Sequence, residues 1–153
     1  MAARSSASAT SIQRDLQITR IFDAPRELVF RAWSEPAQMA HWWGPKGFTL
    51  PVCEMDFRPG GAYRLCMRSP EGNDFWVHGV YREIVAPERI VWSGTLDDQP
   101  SNETVMTVTF TEHEGKTQLT MHQTFDFESE ATRGAEKGWN ESLDRLAEAL
   151  AAN

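Results

Sequence analysis

Thr104-Val105-Met106-Thr107-Val108-Thr109-Phe110, a break at Glu114-Gly115, then Thr117-Gln118-Leu119-Thr120-Met121-His122 is the stretch that decides the fold. A two-residue turn at Glu114-Gly115 pairs Phe110 with Leu119 and Val108 with Met121. The same register sets Thr109 opposite Thr120 and Thr107 opposite His122. One face is apolar and the other a threonine-rich ladder, the pattern of an antiparallel sheet with one wet side.

Working outward, strands are expected at Thr49–Phe57, Ala62–Arg68, Asp74–Ile84, Arg89–Gly94, Thr104–Glu112 and Lys116–Phe125, with a first strand from Leu16 to Phe22. The links between the later strands are short and rich in turn residues, such as Pro59-Gly60-Gly61 and Ala86-Pro87-Glu88. Short links favour an antiparallel meander, because parallel neighbours need crossovers of about a dozen residues or more. Between the first and second strands the period changes. Pro25 suits the start of a helix carrying Leu28, Val29, Ala32 and Trp33 on one face. Ser34 is expected to cap a second short helix with Met39 and Trp42, which Gly44-Pro45 ends. Ser129 to Ala151 reads as one long amphipathic helix whose stripe is Ala131, Ala135, Trp139, Leu143, Leu146 and Leu150. The fold class is therefore α+β: a curved antiparallel sheet of about seven strands, two short helices and a long C-terminal helix.

The composition sets limits on function. The 153 residues suit a single domain, expected over residues 14–153, after an Ala/Ser/Thr-rich leader (1–13) whose composition reads as disordered. A net charge of -7 without a Lys/Arg cluster disfavours nucleic acid and anionic membrane surfaces. No apolar run approaches the ~20 residues of a membrane span. Cys53 and Cys66 are too few for a metal site. They flank the Arg58–Gly61 turn, where a symmetric turn would set them opposite each other. That register also pairs Glu54 with Leu65, so a bulge at the glycines is expected to shift it. The cysteines read as reduced thiols in a cytoplasmic protein.

The order of elements matches a helix-grip fold, and several motifs carry a resemblance. Ile18-Thr19-Arg20-Ile21-Phe22-Asp23-Ala24-Pro25, Val29-Phe30-Arg31-Ala32-Trp33, Trp42-Trp43-Gly44-Pro45, Arg58-Pro59-Gly60-Gly61 and Gly79-Val80-Tyr81-Arg82-Glu83-Ile84 occur in that order. Over about Leu16 to Leu150 the chain resembles the SRPBCC (START-like) superfamily, in its activator-of-heat-shock-protein-90-ATPase-like branch. The resemblance implies a deep apolar cavity between the long helix and the concave sheet. Proteins of this kind include ligand carriers, polyketide cyclase-like enzymes and the C-terminal domain of a co-chaperone. That co-chaperone engages its chaperone through a separate domain for which 153 residues leave no room, which argues against a chaperone partner.

Two adjacent indoles before a Gly-Pro turn suit a fixed wall at a cavity, so Trp43 is placed there, with Trp139 mid-helix facing the sheet and Trp33 in the core. Met67, Met106 and Met121 fall on strand positions that face inward, where thioethers adapt to irregular ligands. On the Asp74–Ile84 strand, Phe75, Val77, Gly79, Tyr81 and Glu83 are taken as the cavity face, since His78 and Arg82 on the other tolerate water better. Phe48, Trp92 and Leu143 complete the expected lining. Glu83 is the candidate buried carboxylate: desolvation would raise its pKa and fit it, with Tyr81, for acid–base work. The plainer alternative pairs it with Arg20 or Arg82. His41, at a helix end, suits capping, and His113 and His122 fall on wet positions. No catalytic residue, cofactor or metal ligand is assigned. The expected function is binding of a small, largely hydrophobic molecule. A cyclase- or hydrolase-like enzyme and a chaperone-associated interaction module are the alternatives.

Overall fold

The computed structural model describes residues 14–125 and 134–152. The leader lies outside them, as do Ser129 and Ala131 of the expected helix start. In chain order the elements are β1 (Arg14–Phe22), α1 (Arg26–Ser34), α2 (Pro36–Met39), β2 (Thr49–Met55), β3 (Ala62–Arg68), β4 (Asp74–Val85), β5 (Arg89–Leu96), β6 (Glu103–His113), β7 (Lys116–Phe125) and α3 (Ala135–Ala151). All seven strands form one curved antiparallel sheet in the order β1-β7-β6-β5-β4-β3-β2. The helix-grip architecture expected from the sequence is the one observed.

The β6–β7 hairpin has the register read from its side chains: Phe110 faces Leu119, Val108 faces Met121, Thr109 faces Thr120 and Thr107 faces His122. Glu114 and Gly115 both take positive φ, as the two-residue turn requires. The β2–β3 hairpin shifts by one residue, so that Cys53 faces Leu65 and Val52 faces Cys66. Glu54 thereby meets Arg64 instead of Leu65. The cysteines stand on opposite faces of the sheet, and both are free.

α1 buries Val29, Phe30, Ala32 and Trp33 against the sheet. Ser34 does not cap α2: it is the last residue of α1, and its Oγ donates back to the Arg31 carbonyl (3.3 Å). Glu35 holds the N-cap position of α2 in extended backbone, the conformation that a residue before proline favours. The stripe of α3 is buried as expected at Leu143, Leu146 and Leu150. Arg20 of β1 reaches Asp144 (2.6 Å) and ties that helix to the sheet edge.

Two glycines permit the curvature. A Cβ on Gly79 would lie 1.9 Å from the Ser93 carbonyl oxygen and 2.8 Å from the Tyr63 ring. One on Gly61 would lie 1.9 Å from the Asp56 carbonyl oxygen. At Gly61 the turn closes on Asp56, and at Gly79 β4 and β5 approach each other too closely for any side chain. Beyond this point β4 carries a bulge: Tyr81 faces Trp92, yet Glu83 faces Val91, so β4 has one residue too many.

Gly79→Ala is expected to lower unfolding free energy by more than about 2 kcal/mol in urea denaturation, because backbone and not a flexible side chain must yield. Titration of denatured, unreduced protein is expected to give two thiols per chain. In the native state, burial pushes the Cys53 thiol from 9.0 up to about 11. At pH 8 its thiolate is then about a hundredfold scarcer than in the unfolded chain, and native alkylation by iodoacetamide slows accordingly.

Candidate functional site

The concave face of the sheet is used in two ways. Toward one end α1 fills it, and Ile90, Val108, Phe110, Leu119 and Met121 are buried there as core. Toward the other end the sheet and the first turns of α3 enclose a cavity of about 350 Å³. The boundary runs across the strands two residues at a time. On β5, Trp92 lines the cavity and Ile90 the core; on β6, Met106 and Val108 divide in the same way. On β7, Gln123 lines the cavity and Met121 the core. On α3, Gly138, Trp139 and Ser142 line it, whereas Leu143 lies fully buried in the core.

A cluster of indoles forms the partition. Trp33 stacks on Trp139 at 6.1 Å and 19° between ring planes. It meets Trp42, Trp43 and Trp92 at 4.6, 6.0 and 5.7 Å, and Trp43 touches Trp139 edge-on at 5.2 Å. Such edge and offset contacts each contribute roughly 0.5–1.5 kcal/mol beyond burial.

Seven of the expected lining residues stand at the cavity: Trp43, Phe48, Met67, Phe75, Trp92, Met106 and Trp139. Phe75 is 40% exposed and lies 6.1 Å from Phe48, so this pair stands where the cavity meets solvent. Four expected residues are elsewhere. Met121 and Leu143 have the right face but the wrong end, and are core. Tyr81 is buried between Phe57 (5.0 Å) and Tyr63 (5.5 Å), facing a void of about 10 Å³ behind the main cavity. Glu83 is on the outside, ion-paired with Arg89 (3.1 Å). The β4 bulge reverses the alternation after Tyr81, turning Glu83 to solvent and bringing Ile84 against the core. Its partner is neither Arg20 nor Arg82. The other face of β4 is wet as expected: His78 meets Asp97 (2.6 Å) and Arg82 meets Glu103 (3.3 Å).

Sequence reasoning missed the polar lining. The Trp139 indole N–H donates to Gln123 Oε1 (3.1 Å), Gln123 Nε2 donates to Thr104 Oγ1 (3.2 Å), and Thr104 donates to the Thr124 carbonyl (2.8 Å). Gln123 was legible as an inward position, two residues beyond Met121, but its neighbours across the fold were not. Tyr63 also lines the cavity, and its hydroxyl donates to the Ser93 carbonyl (2.6 Å). Burial raises this phenol well above its ordinary range. Gly79 and Gly94 leave room for it, since a Cβ on Gly94 would lie 2.9 Å from its oxygen. Gln99 and Asn102 join each other (3.0 Å) in the β5–β6 connection and line the same cavity.

The loop carrying Trp43 is held by one face of α3. The Gly44 N–H donates to Ser142 Oγ (3.1 Å) and the Lys46 N–H to Glu141 (3.0 Å). The Arg145 guanidinium donates to the carbonyls of His41, Trp43, Gly44 and Pro45 at 3.0 to 3.4 Å. Partial burial draws that guanidinium below its ordinary pKa. These four carbonyl acceptors lie in the loop beyond α2, and one cation ties them together; the Pro45 carbonyl also accepts from the Phe48 N–H (3.0 Å). Among the described residues no three His, Cys, Asp or Glu side chains stand together as metal ligands. No helix there is long and apolar enough to cross a membrane.

Comparison with known proteins agrees with this architecture. A crystal structure of a protein from Chromobacterium violaceum is 29% identical, with a TM-score of 0.83, over 89% of this chain and 96% of that one. The AHSA1 protein of Silicibacter pomeroyi is 27% identical, with a TM-score of 0.81, over 91% and 99%. A protein from Rhizobium leguminosarum is 26% identical, with a TM-score of 0.78, over 94% and 98%. No curated protein matches the chain. The family model described as activator of Hsp90 ATPase homolog 1-like protein matches residues 23–151, and this chain belongs to that family.

Proposed function

We propose that the protein binds a small, largely hydrophobic molecule in the cavity beneath α3. The observation that carries this reading is Gly138. It lies inside a helix, where glycine costs up to roughly 1 kcal/mol against alanine. Packing does not demand it, because a Cβ there would meet only Pro45 Cγ, at an ordinary 3.7 Å. What the missing side chain leaves is room in the cavity, which Gly138 lines beside Trp139. The cavity falls in the range of small-molecule sites, roughly 300–1,000 Å³, and combines aromatic walls with a few hydrogen-bonding groups. Full burial of the ligand's apolar surface would contribute about 25 cal/mol per Å².

The acid–base pair considered at Tyr81 and Glu83 is not a cavity pair. One faces the small void behind the cavity and the other solvent. The enzyme reading therefore loses its carboxylate, and binding needs neither group. The separated, free thiols fit the reducing cytoplasm we assign to the protein.

Titration with N-phenyl-1-naphthylamine, an uncharged fluorophore, is expected to give a saturable 1:1 rise in emission. Gly138→Leu, which fills the cavity, is expected to abolish that rise, while Gly138→Ala raises the unfolding free energy by up to about 1 kcal/mol. Binding that is absent in the natural protein, or unchanged in Gly138→Leu, overturns the proposal. Glu83→Gln and Tyr81→Phe are expected to leave the probe's Kd within about twofold, and loss of the exposed Glu83–Arg89 pair to cost less than about 1 kcal/mol.

A further inference from the structure

The hydrogens of the polar relay can be assigned from chemistry alone. An indole N–H only donates, so the atom of Gln123 facing Trp139 (3.1 Å) is the amide oxygen. The amide nitrogen then faces Thr104 (3.2 Å) and donates to its Oγ1. Thr104 accepts that bond and donates its own O–H to the Thr124 carbonyl (2.8 Å). The orientation of the Gln123 amide is thus fixed from both ends. An amide nitrogen carries two hydrogens, and among the described residues the second has no partner. Gln123 is 8% exposed and lines the cavity.

A second observation concerns charge. Among the described residues, no Asp, Glu, Lys, Arg or His lines the cavity. Arg145 approaches its wall at Gly44, but its guanidinium is already engaged by backbone carbonyls. A carboxylate or ammonium entering this space would lose its water without gaining a counter-ion among the described residues. The walls are flat π-surfaces: Trp43, Trp92, Trp139, Phe48, Phe75 and Tyr63.

We propose that the cavity selects an uncharged aromatic molecule bearing a hydrogen-bond-accepting oxygen, and that the second N–H of the Gln123 amide reads that oxygen. This inference rests on the cavity-binding reading above and adds the chemical class of the ligand. Gln123 acts as a specificity-determining donor, held in place by Trp139 and Thr104.

The test uses three matched probes on the full chain: 2-acetylnaphthalene, 2-ethylnaphthalene and 2-naphthoate. Kd values come from ¹⁵N–¹H chemical-shift titrations, in which the tryptophan indole N–H resonances report on the site. The ketone is expected to bind about fivefold more tightly than the hydrocarbon, the ordinary worth of one neutral hydrogen bond. The carboxylate is expected to bind at least about tenfold more weakly than the ketone. Gln123→Met keeps length and removes the donor together with the acceptor of the Trp139 indole N–H. It is expected to erase the preference for the ketone, read as the ratio of the ketone and 2-ethylnaphthalene affinities within the variant. If neither neutral naphthalene binds the natural protein, the cavity-binding reading falls and this inference with it. The cavity reading survives and the Gln123 assignment is overturned by any of three results: equal affinity for ketone and hydrocarbon, naphthoate binding as well as the ketone, or a methionine variant that keeps the ketone preference. The comparison in the natural protein decides the matter by itself should Gln123→Met not fold.

Discussion

The indole of Trp33 is the point on which the two halves of this molecule depend. It is 2% exposed and touches Trp42, Trp43, Trp92 and Trp139, which come from α2's end, the following loop, β5 and α3. On its far side lies a close-packed core, and beyond the ring of indoles lies space. A curved sheet covered by one long helix has more concave surface than one short helix can fill. Rigid, wide side chains end the core along a sharp line, where flexible aliphatic ones would collapse into the gap.

A wall of this kind needs its backbone held, and the long helix does that. Glu141, Ser142 and Arg145 lie on one face of α3 and take up N–H and carbonyl groups between His41 and Lys46. The loop that presents Trp43 is therefore anchored to the same helix that presents Trp139. The Trp42 indole N–H adds a tie to α1, at the Ala32 carbonyl (3.1 Å). A network of such bonds rigidifies what it joins. The cavity keeps its shape because its two tryptophan walls share a support.

The same economy explains where stability has been given up. Gly138 thins the helix above the cavity, and Gly94 thins the strand beside Tyr63. Neither position is held open by a need for positive φ. Gly138 enlarges the space on the cavity side of Trp33, Gly94 admits the Tyr63 hydroxyl, and neither weakens the core proper, where Leu143, Leu146, Val108 and Met121 are fully buried. Space on one side and tight packing on the other let a cavity coexist with a stable fold.

The sequence by itself determined the sheet, its β6–β7 register, the inward faces of most strands and the resemblance to its family. These follow from side-chain period, turn chemistry and short-range motifs, all of which are local. Seven of the residues it set at the cavity stand there, and for the four on the sheet (Met67, Phe75, Trp92 and Met106) the reason is that an inward aromatic or methionine on a concave sheet has only two destinations. Which destination was not legible. Met121 and Gln123 share one face of one strand, and only the position of α1 makes the first core and the second cavity. Glu83 shows a sharper limit: one extra residue in the β4 ladder reverses every side chain after it, and nothing local in Gly79–Ile84 announces that bulge. The Trp139–Gln123–Thr104 relay joins residues up to 35 positions apart (139 − 104), and Arg145 meets carbonyls about a hundred residues away. Periodicity is set by neighbours along the chain, whereas hydrogen-bond partners are set by how the sheet curves. That curvature exists only once the whole sheet has formed.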